Sequence, residues 1–111
     1  MKFKNKVVVV TGGAHGIGQA IVEDFRKEGA VVEVIDKTPG TYFVGDIGNK
    51  ETLEAFSSYV LEKHSHIDYL INNALPIMKG IDECSYEEFQ YALSVGVTAL
   101  FYLTKLFKDS F

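Results

Sequence analysis

Two features of this sequence have the residue types and spacing to do chemistry. The first is the run Thr11-Gly12-Gly13-Ala14-His15-Gly16-Ile17-Gly18, which separates an apolar β-branched segment from one of helical period. A glycine-rich turn at a helix start offers unpaired backbone N–H groups and the positive end of the helix dipole, a natural seat for phosphate. In that reading Gly12 permits the tight turn, Gly16 lets the backbone approach a pyrophosphate, and Gly18 lets helix and strand pack closely. Glycines also mark ordinary loops, so the turn gains meaning from its second partner. Asp36 closes the next apolar run at about the distance expected of a ribose-binding carboxylate. Alone, Asp36 reads equally well as a loop cap; beside this turn it reads as a nucleotide ligand. A carboxylate there accepts from both ribose hydroxyls and repels a 2′-phosphate, which favours NAD over NADP. Lys37 is the neighbouring cation that could relieve the repulsion.

The elements that must position these residues follow from periodicity. Lys6–Thr11 suits a strand buried on both faces of a parallel sheet. Ile17, Ala20, Ile21 and Phe25 then fall at helical spacing, with Gly29 placed as the residue after the helix end, so a helix is expected from about Gly16 to Glu28. Ala30–Asp36 reads as a second strand and Tyr42–Asp46 as a third. Asn49 is placed to cap a helix whose Leu53, Phe56 and Val60 stripe runs to about Lys63. Ile67–Asn72 is a fourth strand. Ser85 and Glu88 have capping-box spacing and open a long helix from Tyr86 to about Lys108. The order β-α-β-β-α-β-α implies an α/β fold with a doubly wound parallel sheet, in one domain over residues 1–111. The five or six residues between the second and third strands leave no room for a crossover helix. The third strand is therefore the least secure element.

With the elements in place, three motifs together resemble the short-chain dehydrogenase/reductase family. Thr11 to Gly18 has that family's Thr-Gly-x-x-x-Gly-x-Gly spacing. Gly45-Asp46-Ile47 is similar to its Asp-Val segment after the third strand, whose carboxylate meets the adenine ring. Leu70-Ile71-Asn72-Asn73-Ala74 is similar to its Asn-Asn-Ala-Gly motif, which supports the sheet and the adenosine ribose. The motifs span roughly residues 6 to 107. The resemblance implies a Rossmann-type half with strand order 3-2-1-4 and NAD as cofactor. It implies hydride transfer to a carbonyl or from a secondary alcohol. It also implies a cofactor site of Gly12, His15, Gly16, Ile17, Gly18, Asp36, Asp46, Ile47, Asn72 and Ala74. His15 is either a contact within the phosphate loop or a spacer facing solvent.

The sequence departs from the family in three places. Leu75 stands where the family has the last glycine of Asn-Asn-Ala-Gly. Within Ser94-Val95-Gly96-Val97-Thr98-Ala99, Gly96 stands at the position of the family's proton-relay asparagine; close backbone packing is the other reading of a glycine there. The catalytic Ser and Tyr-x-x-x-Lys of the family's fifth strand and following helix are not among these 111 residues. The resemblance thus implies a truncated chain that binds cofactor without turnover. The alternative is a non-catalytic nucleotide-binding or self-assembling module. Tyr59-Val60-Leu61-Glu62-Lys63 spells Tyr-x-x-x-Lys, but it lies in a helix flanking the sheet, whereas ligands of open α/β sheets gather at the carboxyl ends of the strands. Tyr59 is expected at the surface.

The remaining composition excludes more than it suggests. A net charge of −4 gives no electrostatic reason to expect nucleic acid or a membrane surface. No stretch has transmembrane length. His64 and His66 end a helix, where imidazolium suits the dipole, and lack the acidic or sulfur cluster of a metal site. Cys84, the lone cysteine, has nothing obvious to lower its pKa and fits a reducing cytoplasm. Two features point to self-association. The fourth strand is expected as an uncovered edge, and the Tyr86–Lys108 helix is apolar on more than one face. A dimer pairing the Ile67–Asn72 strands or packing the long helices is expected.

Overall fold

Four consecutive valines decide the layering. Val7–Thr11 forms β1, and all five residues are buried. Alternate side chains leave a strand on opposite faces. Val7 and Val9 accordingly enter a core with Ile35, Phe56, Val60, Ile67, Leu103 and Phe107, whereas Val8 and Val10 enter a second core with Val22, Ala30, Val32 and Val34. A strand apolar on both faces requires cover on both sides. The structure, a computed structural model, describes residues 1–76 and 79–111. It supplies that cover with α1 (Gly16–Lys27) on one face, and with α2 (Lys50–His64) and α4 (Ala99–Phe107) on the other. The strands β2 (Val31–Asp36), β3 (Phe43–Val44) and β4 (Tyr69–Asn72) complete a parallel sheet of order β3-β2-β1-β4. The α/β class and the strand order are those expected, with β4 as an edge.

Several expectations are corrected in detail. The third strand shrinks from Tyr42–Asp46 to Phe43–Val44, which pair with Ile35 and Asp36. A link this short cannot return to the start of β2, so β3 meets only its carboxyl end. Phe43 is anchored there by edge contact with the Phe56 ring at 5.2 Å. The fourth strand begins at Tyr69 rather than Ile67, and α1 ends at Lys27. The buried stripe of α1 is Gly18 and Val22, flanked by half-buried Ile21 and Phe25. Ile17 and Ala20, assigned to it from the sequence, are exposed. The capping box at Ser85 and Glu88 forms in both directions.

The long helix is not one regular α-helix. A π-helical turn, Ser94–Thr98, joins α3 (Tyr86–Leu93) to α4, and a 3₁₀ turn, Lys108–Ser110, follows. The buried residues Val95, Ala99, Leu103 and Phe107 recur every fourth position. Each such step runs about 40° ahead of a 3.6-residue period, so an α-helix would carry the stripe off the core. The wider π turn absorbs part of that drift.

Two polar contacts tie strands to their surroundings. Glu33 is buried on β2 yet paired, with His64 Nε2 at 2.5 Å and Lys63 Nζ at 3.2 Å. His64 therefore holds a strand carboxylate as well as ending α2. Asp68 joins the starts of β1 and β4: its N–H donates to the Val7 carbonyl at 2.8 Å, and its Oδ2 accepts the Val7 N–H at 2.7 Å. That N–H bond holds the Asp68 carboxyl below its ordinary 3.8, against a smaller opposing effect of burial and with help from His66 and Lys6. A carboxyl whose folded pKa is depressed stabilises the fold above its unfolded pKa, and the benefit fades as pH falls through the folded value. Asp68→Asn is expected to cost about 1 kcal/mol at pH 7. In urea titrations the gap to the parent should close in acid below about pH 4; a gap independent of pH would refute the assignment.

Candidate functional site

The glycine turn is held from beneath by the ends of β1 and β4. The Thr11 hydroxyl accepts the N–H groups of Asn73 and Ala74, each at 3.1 Å, and the Asn73 side chain donates to the Gly12 carbonyl at 3.0 Å. Gly18 fits against this knot only because it lacks a side chain. A Cβ there would lie 2.2 Å from the Gly12 oxygen and 2.4 Å from Asn73 Nδ2. The close approach is thus to the turn itself and to Asn73, rather than only between helix and strand. Gly16 opens α1 at φ 51° with nothing within 4 Å of a built Cβ. His15 precedes it in extended conformation and makes no side-chain cap, and the first turn of α1 carries no acidic residue. The N–H groups and dipole of α1 are therefore available to an anion.

Asp36 stands beside this turn at the end of β2. Its Oδ2 accepts the Ala14 N–H at 3.2 Å, with His15 Nδ1 at 3.7 Å, and its Oδ1 accepts the Thr38 N–H at 3.0 Å. Partial burial pushes the carboxyl up, but the Thr38 and Ala14 N–H groups and His15 together outweigh it and lower the pKa below 3.8. Lys37 turns away, its ammonium 5.8 Å above the Tyr91 ring. Beyond Asp36 lies Asp46. Its Oδ1 accepts the Gly48 N–H at 2.8 Å and its Oδ2 the Tyr91 hydroxyl at 2.6 Å.

These groups border one open cleft of about 780 Å³ across the carboxyl ends of the strands, a size suited to a small-molecule ligand. Of the residues expected from the sequence, Gly12, His15, Ile17, Gly18, Asp36, Asp46, Ile47 and Ala74 line it. Ile17, displaced from the core, is exposed there. Gly16 and Asn72 are not in the lining. Asn72 pairs with Thr11 as the last residue of β4, and its neighbour Asn73 takes the place in the cleft. Tyr91 and Val95 were not foreseen, since nothing in a mid-helix pattern marks a tyrosine that reaches an aspartate 45 residues earlier. At the mouth, Lys79 pairs with Glu88, whose carboxyl is held down at about 2 by that cation and by the Ser85 N–H.

The departures also find their places. Leu75 lies exposed along the cleft with Pro76. A Cβ built on Gly96 would meet the Pro76 ring at 3.4 Å, an ordinary contact, so Pro76 occupies the side toward which a larger residue would project. Tyr59 and Lys63 line a separate small groove on the outer edge of β2, with Lys63 Nζ 5.6 Å over the Tyr59 ring. Among the described residues no group of three or more His, Cys, Asp or Glu is arranged to hold a metal ion.

The short chain dehydrogenase family model matches residues 6–111. L-fucose dehydrogenase of Mus musculus is 35% identical over 95% of this chain, which spans 44% of that protein. A solved apo SCOR enzyme from Clostridium thermocellum superposes with a TM-score of 0.90 at 41% identity, over 96% of this chain and 49% of the other. A metagenomic short-chain oxidoreductase solved in complex with NADP shares the fold, with a TM-score of 0.89 at 23% identity, over 99% of this chain and 57% of its own. The chain thus spans about half the length of the proteins it matches.

The geometry separates two glycines that look alike in sequence. Gly18→Ala must displace a backbone carbonyl and is expected to lower the Tm by roughly 10 °C or more. Gly16→Ala has open space and pays only for its positive φ, about 1 kcal/mol or roughly half that fall in Tm. Equal losses in thermal unfolding would refute the close approach at Gly18.

Proposed function

The chain belongs to the short-chain dehydrogenase family, and on that premise we propose that residues 1–111 form an NAD-preferring cofactor domain that carries out no hydride transfer alone. The family is one of oxidoreductases with a Rossmann-type fold that binds nicotinamide cofactors. The single observation that carries the NAD preference is Asp36. Its carboxylate is kept ionised by two backbone N–H groups, and further lone pairs remain to accept from ribose hydroxyls. A 2′-phosphate placed there would meet that negative charge, while the Lys37 ammonium rests over Tyr91 rather than against Asp36.

In this reading the turn at Gly12–Gly18 and the start of α1 hold the pyrophosphate. Asp36 and the Asn73–Ala74 segment orient the adenosine ribose, and Asp46 and Ile47 receive the base. The cofactor, when bound, supplies or accepts the hydride. Moving the matching hydroxyl proton needs an acid or base whose pKa lies near the working pH. The cleft tyrosine, Tyr91, is unsuited: burial and its bond to Asp46 push it up to about 12. Tyr59 lies in another groove. The relatives' dehydrogenase chemistry suggests a carbonyl or secondary alcohol as substrate of the whole protein. The free thiol of Cys84 supports a reducing, cytoplasmic setting.

A second reading, self-association, is favoured by one observation. Phe89, Leu93, Val97, Leu100 and Phe101 form an exposed apolar stripe along α3 and α4. Such a stripe expects a partner, and a second copy offers the same surface by two-fold symmetry. This favours helix packing over pairing of β4 edges.

Calorimetric titration is expected to show NAD bound about tenfold or more tightly than NADP, the preference vanishing in Asp36→Ala. The purified chain, its mass confirmed, should oxidise no secondary alcohol with NAD; measurable turnover would overturn the proposal. Light scattering should find a dimer at micromolar concentration that Leu100→Glu with Phe101→Glu dissociates; a monomeric parent would refute self-association.

A further inference from the structure

The base end of the cleft holds a contact that binding of phosphate and ribose does not explain. Tyr91 projects from α3, 45 residues beyond Asp46, and gives its hydroxyl proton to the Asp46 carboxylate. The ring, though 40% exposed, is backed as well as bonded. A Cβ on Gly48 would lie 2.9 Å from its Cε1, and the Lys37 ammonium stands 5.8 Å above its centroid. Asp46 is thereby gripped on both oxygens, by the Gly48 N–H and the Tyr91 hydroxyl. Both contacts are donors, and an ionised carboxylate accepts at about four lone-pair positions. The remaining capacity is for more donors and for nothing else.

We propose that Tyr91 is a positioning residue for base recognition: it fixes Asp46 as an acceptor aimed into the cleft, so that a purine with a 6-amino group is taken and one with a 6-oxo group is refused. The inference rests on the dinucleotide reading above and deepens it at one subsite. A fixed acceptor discriminates more sharply than a mobile one, because a 6-oxo base sets an oxygen against the carboxylate, and its one donor on that edge, N1–H, lies a position away that a held carboxylate does not follow. The phenol, held up at about 12, remains protonated and donating throughout the neutral range. Lys37 and Gly48 serve the same end by keeping the ring in place.

The test uses the 111-residue chain with two probes, NAD and nicotinamide hypoxanthine dinucleotide, titrated calorimetrically against the parent, Tyr91→Phe and Gly48→Ala. The parent is expected to favour NAD by about tenfold or more, the value of one hydrogen bond to a charged group. Tyr91→Phe keeps the ring and removes only the hydroxyl. It should weaken NAD about tenfold while changing the hypoxanthine analogue by less than about twofold. Gly48→Ala crowds both the ring and Asp46 Oδ1, at 2.9 and 3.2 Å from the added Cβ, and should narrow the preference in the same direction. A loss shared equally by both dinucleotides, or a preference unchanged in Tyr91→Phe, overturns the inference while leaving the cofactor reading intact. A parent chain that binds neither dinucleotide overturns both.

Discussion

The Thr11 hydroxyl sits where β1 leaves the sheet, and it accepts two backbone N–H groups from the chain leaving β4. Those strands are neighbours in the sheet but lie about sixty residues apart in sequence, so this oxygen fastens two otherwise independent loops. From it the Asn73 amide reaches the Gly12 carbonyl, and Gly18 closes on both. The start of α1 and the Asn73–Ala74 segment are thus set by one hydroxyl and one amide. If either moved by an ångström, the cleft would lose its geometry while the sheet kept its own, because β1 pairs through its whole length with β2.

Burial explains why such precision is available at the rim of so small a domain. The valines of β1 commit both faces to helices, and the resulting two cores leave β1 no freedom to twist or slip. Polar groups inside this frame are few and paired: no buried side-chain nitrogen or oxygen among the described residues lacks a partner. The polar atoms instead gather at the carboxyl ends of the strands, where bends in the chain expose N–H groups that carboxylates can accept. Asp36 and Asp46 both exploit this: Asp36 is held on both oxygens by backbone N–H groups, and Asp46 by one backbone N–H and the Tyr91 hydroxyl.

Sequence and structure agree most closely where a residue's role is local. The turn from Thr11 to Gly18 and the cap at Ser85 are decided within a few positions, and they are read from spacing alone. The helix of Leu53, Phe56 and Val60 follows from one period. Agreement fails where a role depends on distant neighbours. Ile17 has the spacing of a core residue, but the turn before it rotates it into the cleft. Asn72 and Asn73 are indistinguishable in composition, and only the register of β4 against Thr11 decides which one points at the turn. The π turn at Ser94–Thr98 shows itself, in retrospect, as a run of four-residue spacings. Tyr91 leaves no trace of its bond to Asp46, because that contact exists only once the core of Val95, Ala99, Leu103 and Phe107 has brought α3 over the loop after β3.

The shortness of β3 has a consequence for how the sheet breathes. In β2, Val31 and Ile35 bond toward β1, so Val32 directs its backbone groups to the outside, where β3, paired only alongside Ile35 and Asp36, does not reach. That edge is screened by side chains instead: the Arg26 guanidinium bonds the Val32 carbonyl at 3.4 Å, and Tyr42 and Tyr59 line the same groove. Amides of β1 are locked between two strands and exchange with solvent deuterium only when the domain opens. The outward amides of β2 are guarded by groups that swing on the nanosecond scale. One sheet is therefore expected to exchange at two rates, slow at its centre and faster along the margin where a longer third strand would have lain.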